Sequence, residues 1–181
     1  MVQAPAHHAL SDGKPGAWDW IFLGVLAASL AGAGWVGVLA YQEGLRTEQT
    51  KRTGEAWVQW LAEQAEARSD EGYGHADCAA KSGNSWGPCR AWLFGSGGPM
   101  HEQRSAFGDR PMRLVKACDS SDRSAAGMIA LEKVTALPPG SAIPFVVSPL
   151  LDSDAIDQRI TIRVTACDKA DGPIRIGESE F

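Results

Sequence analysis

The sequence predicts an α+β protein in which an N-terminal transmembrane helix continues into an amphipathic helix packed on a small, mostly antiparallel sheet. Three observations predict it. Residues 21–41 carry no charge, and Glu43–Asp70 repeats its apolar residues at helical spacing. Beyond Gly98 the chain breaks into short β-favouring runs separated by turn residues. A long helix first and strands later is an order typical of α+β folds.

Residues 1–20 hold Pro5, Pro15, short polar clusters and the pair His7-His8, and read as a flexible, solvated tail. Residues 21–41, "IFLGVLAASLAGAGWVGVLAY", are predicted to be a membrane-spanning helix. At ~1.5 Å per residue this helix is roughly 31 Å long, the thickness of a bilayer's hydrocarbon core. Trp18 and Trp20 flank one end and Tyr41 the other, where amphipathic rings favour the interface. The alternative, a signal peptide cleaved near Ala31–Ala33, places Asp19 and two Trp beside the apolar region and leaves "GWVGVLAY" on the mature chain. A retained single-span anchor is therefore the better reading. Gly24, Ala28 and Gly32 recur every four residues and make one stripe on this helix; Ala33 and Gly37 repeat the spacing on a neighbouring face. Small residues allow close helix–helix approach in lipid, so the stripe is a candidate association surface, although Gly and Ala are common in spans generally.

Residues 42–69 are predicted to be amphipathic helix. Trp57, Trp60, Leu61 and Ala65 share one face, and Glu55, Glu63, Glu66 and Arg68 lie towards the other. Gly44 and Gly54 each cost a helix about 1 kcal/mol relative to Ala, which predicts a bend near them. Residues 70–181 are predicted to form an extracytoplasmic, disulfide-containing α+β domain. Within it, "GPCRAWLFG" reads as a short helix with Pro88 in its first turn and Gly95 as its stop. Met112–Cys118, Met128–Val134, Ile143–Val147, Ile160–Cys167 and Pro173–Glu178 read as strands, with "PPG" and "DGP" as turn chemistry.

The four cysteines, an even number in about 110 residues, fit a disulfide framework in an oxidising compartment. The positive-inside count points the other way: Lys14 precedes the span, and Arg46, Lys51 and Arg52 follow it. Long domains translocate despite such charges, and Glu43, Glu48 and Glu55 are interleaved with them. The expected topology is a single pass through the inner (plasma) membrane, with the C-terminal domain periplasmic or extracellular.

Two of the cysteines sit in a repeated pattern, Val-x-Ala-Cys-Asp-x-x-Asp, at Val115–Asp122 and Val164–Asp171. Alternation in "ITIRVTAC" turns Ile160, Ile162, Val164 and Ala166 towards the helix and Cys167 away from it. Each copy ends a strand, and its Asp residues suit the turn that follows. One pairing joins Cys118 to Cys167 and Cys78 to Cys89; four cysteines allow three connectivities, and all remain open.

Other motifs do not complete a chemical site. Gly83–Gly87, "GNSWG", matches a nucleophile elbow around Ser85, but no buried strand precedes it. His101 is the only later histidine, and no acid lies between the two. His75, Cys78, Cys89 and His101 offer four zinc ligands without paired spacing, an alternative for a reducing compartment. Asp119, Asp122, Asp168 and Asp171 lack EF-hand spacing, and Asp152–Asp157 reads as a solvated turn. No catalytic, cofactor-binding or metal-ligating residue is assigned. A formal net charge of −5 without an evident basic patch argues against a nucleic-acid partner.

The layout of N-terminal span, continuing amphipathic helix and cystine-bearing sheet resembles type IV pilins, minor pilins and pseudopilins. The family's prepilin motif is absent: five residues after Gly16 stands Ile21 rather than glutamate. The resemblance implies a non-catalytic, single-span envelope protein, a pilin-like or accessory subunit of a membrane, secretion or pilus assembly. Its partners would be the membrane and other proteins, or further copies met through the span. The alternatives are an extracytoplasmic ligand-binding domain and a small hydrolase using Ser85.

Overall fold

The computed structural model describes residues 16–119, 121–169 and 172–181, so His7, His8 and Asp171 lie outside it. The fold is α+β: one long N-terminal helix and a mixed five-stranded sheet. The described residues form two compact units, the first ending at Gln42 and the second running from Glu43 to Phe181.

Helix α1 spans Ala17–Ala67 without interruption. At its start the Gly16 N–H donates to Asp19 Oδ2 at 2.8 Å, which satisfies one of the donors that helix ends leave free. Through Gln42 every described side chain is exposed, including Trp18, Leu30, Trp35 and Tyr41, and the helix is long and apolar enough to cross a membrane. The Ser29 hydroxyl donates to Val25 O at 2.9 Å, so this polar side chain in the span is satisfied within the helix.

In the second unit α1 buries Thr50, Gly54, Trp57, Leu61 and Ala65, one stripe at intervals of three and four. Trp60 is half-buried beside it, its ring 6.2 Å from that of Trp57 and 5.8 Å from that of Phe181. The helix runs on through Gly44 and Gly54. Gly54 is a contact, packed beneath Ile176.

A 3-10 turn at Ala76–Cys78 leads to α2, Trp86–Phe94. Gly95 ends α2 with extended backbone rather than the left-handed turn expected of a stop glycine. The strands are β1 Leu114–Val115, β2 Ile129–Ala136, β3 Phe145–Pro149, β4 Thr161–Cys167 and β5 Pro173–Glu180. Their order is β1-β2-β4-β5, with β3 also on β2. The β2–β3, β2–β4 and β4–β5 ladders are antiparallel. The β1–β2 ladder is parallel and holds only two residue pairs, so the expected strand Met112–Cys118 is mostly irregular.

Ile129, Leu131, Ile162, Val164 and Ala166 join Trp57, Leu61 and the α2 residues Trp86 and Leu93 in the main core. Cys167 belongs to a second, smaller cluster with Ala125 and Ala130 on the other side of the sheet, as the alternation along β4 requires.

Candidate functional site

The cysteines form two bonds. Cys78–Cys89 ties the 3-10 turn to α2, with Cα atoms 4.6 Å apart. Cys118–Cys167 ties the segment after β1 to the end of β4, with Cα atoms 5.0 Å apart. The two Cys-Asp repeats are therefore stapled to each other. Their aspartates act differently. Asp119 Oδ1 accepts the Ser121 N–H at 2.8 Å and its hydroxyl at 2.7 Å, and Asp122 Oδ1 accepts the Ser124 N–H at 2.8 Å. Hydrogen bonds from Ser121 and Ser124 hold these two carboxyls below the ordinary pKa. Asp168 Oδ1 instead accepts the Thr47 hydroxyl at 2.7 Å, and the neighbouring Lys169 pairs with Glu43. The second repeat thus fastens the end of β4 to α1.

The other predicted positions are dispersed. Ser85 stands at the N-terminus of α2, its backbone bridged to Ala155. His101 Nδ1 lies 3.2 Å from the carbonyl of Phe94, the last residue of that helix. Nine residues, roughly 13 Å of helix, thus separate the two ends. Cys78 and Cys89 are bonded to each other rather than available as thiolates, and His75 stacks 3.9 Å from the Trp92 ring. Asp152 pairs with Arg90 at 2.7 Å, and Asp154 accepts Lys133 at 2.8 Å and the Leu151 N–H at 2.7 Å. Burial works against ionisation of Asp154, but the Lys133 hydrogen bond, the Leu151 N–H and the Lys133 charge outweigh it and lower its pKa.

Gly24, Ala28 and Gly32 lie on α1 in the first unit, all exposed. A methyl group at Gly24 or Gly32 would meet nothing within 4 Å.

Two features escaped the sequence reading. Arg68, placed there on the polar face, is 2% exposed. Its guanidinium lies 4.1 Å over the Phe181 ring, and neither terminal nitrogen has a hydrogen-bond partner among the described residues. Burial lowers its pKa, against opposing effects of Tyr73 and Asp157. The signal was its position: Arg68 follows Leu61 by seven residues and so continues the buried stripe.

The second feature is a groove beside α2. One wall is α2, with Trp86, Arg90 and Phe94; the other is the segment Pro111–Lys116. The part beside Trp86, about 470 Å³, has Leu114, Leu131 and Leu150 in its lining. Arg113 and Lys116 follow Arg90 by more than twenty residues and line the groove with it only through the fold.

Compared with known proteins, the chain matches no family model, no curated protein and no solved structure.

Proposed function

We propose that the chain is a non-catalytic, single-span envelope protein of the inner (plasma) membrane, acting as a pilin-like or accessory subunit of a membrane assembly. The observation that carries this reading is the continuity of α1. One unbroken helix supplies an exposed apolar segment of membrane-spanning length and then the buried stripe Thr50–Ala65 of the second unit. Such a helix satisfies its backbone internally in lipid. Two disulfides in the second unit favour an oxidising compartment, hence a periplasmic or extracellular location for it. The separation of Ser85 from His101 along α2 argues against the hydrolase alternative.

The test is thiol labelling in intact cells, combined with isolation of the full chain from membranes in mild detergent. The reading expects all four cysteines to resist alkylation until the protein is reduced and denatured, and specific membrane proteins to co-purify. Free labelling in the cytosol would reverse the topology. Isolation with a saturable small-molecule ligand and no protein partner would favour a ligand-binding domain.

A further inference from the structure

We propose that the groove beside α2 receives the acidic face of α1 from a second copy of the chain. This rests on the assembly-subunit reading and names the partner of one of its surfaces. On α1, Glu55, Ala56, Gln59, Ala62, Glu63 and Glu66 are exposed and follow one another along the side opposite the buried stripe. From Thr53 to Ala80 the only cation is Arg68, and it is buried. Glu55, Glu63, Glu66, Asp70 and Glu71 take part in no ion pair among the described residues.

The groove has the opposite character. Arg104, Arg113 and Lys116 are exposed along it and likewise form no ion pair among the described residues. Of the two carboxylates in its lining, Asp152 is engaged by Arg90, which leaves Glu102. The unpaired carboxylates Glu55, Glu63 and Glu66 on the one surface complement the unpaired cations Arg104, Arg113 and Lys116 on the other, because each charge then meets an opposite partner at the contact. The same acidic face on two copies would repel itself, so the contact is heterologous: the helix of one copy meets the groove of the next. Contacts of this kind repeat into rings or filaments.

A charge-exchange experiment on the full chain in detergent micelles tests this, read as energy transfer between donor- and acceptor-tagged copies at low salt. Glu63→Lys with Glu66→Lys, and separately Arg113→Glu with Lys116→Glu, should each weaken self-association at least ~tenfold. All four positions are exposed, and far-UV circular dichroism checks that each variant is folded. Mixing the two variants should restore association, since each then offers the surface the other needs. Raising salt to about 1 M should weaken the wild-type contact as the Debye length falls. Wild-type association that is unaffected by either variant, no recovery on mixing, or a groove that binds anionic vesicles but no second copy would each overturn the proposal. Co-purification of other membrane proteins, read separately, would leave the assembly-subunit reading standing.

Discussion

A methyl group on Gly54 would stand 2.7 Å from Cγ1 of Ile176, closer than real carbon contacts allow. The register between β4 and β5 shifts at this point: Val164 pairs with Gly177 and Thr165 with Arg175, so Ile176 is the unpaired residue of a bulge, packed against the helix. Gly54→Ala gains about 1 kcal/mol of helix propensity and loses about 1–3 kcal/mol to overpacking, for an expected net destabilisation. Gly44→Ala meets no atom within 4 Å and should be neutral or stabilising by up to about 1 kcal/mol. Thermal melting of the full chain in detergent distinguishes the two. Ile176→Ala should partly cancel the effect of Gly54→Ala, because it removes the atom in the way.

The terminal nitrogens of Arg68 have no hydrogen-bond partner among the described residues, so its expected contribution is the packing of its side chain over Phe181. Arg68→Met keeps much of the volume and removes the desolvated guanidinium, so it should leave the melting temperature unchanged or raise it. Arg68→Ala leaves a void over Phe181 and should cost about 2–4 kcal/mol. A large loss in Arg68→Met would point to a partner for the guanidinium.

Cys118→Ser should lower the melting temperature more than Cys89→Ser. The chain-entropy model assigns about 4 kcal/mol to the bond spanning 49 residues and about 3 kcal/mol to the one spanning 11. Mass-mapped alkylation of the Cys118→Ser protein after denaturation without reductant should modify Cys167 alone. Labelling of Cys78 or Cys89 would contradict the pairing.

Asp154 has a folded pKa below its ordinary value, so its contribution to stability is complete above about pH 4, the ordinary aspartate pKa, and disappears as pH falls through the lower folded value. Asp154→Asn should therefore melt earlier than wild type at pH 7. The difference should shrink as the pH drops through the acid range. Melting curves at several pH values check this, and a difference that persists unchanged in acid would exclude the carboxylate's charge as the cause.

Gly24→Leu, Ala28→Leu or Gly32→Leu should weaken association if the small stripe is where helices meet, because bulk there holds backbones apart. Leu23→Ile, Leu30→Ile and Leu39→Ile should have little effect. Equal behaviour of both sets in an in-membrane association assay would leave the segment as a simple anchor.

Features that repeat with backbone geometry are legible in the residues alone. An uncharged run has a length, and length alone makes Ile21–Tyr41 long enough to span a bilayer. The 3.6-residue period placed Trp57, Leu61 and Ala65 on one buried face, and the two-residue period turned Val164 inward and Cys167 outward. Charge alone points Arg68 outward, yet it stands seven residues after Leu61, in line with the buried stripe. Whatever depends on which distant segments meet comes from long-range packing. It selected one of three cysteine pairings, made β1 parallel, set Gly54 against Ile176, and gathered Arg90, Arg113 and Lys116 around one groove. Local periodicity follows from the geometry of a single backbone. A long-range pairing is chosen by the packing of the whole core, so it becomes legible only when that core has formed.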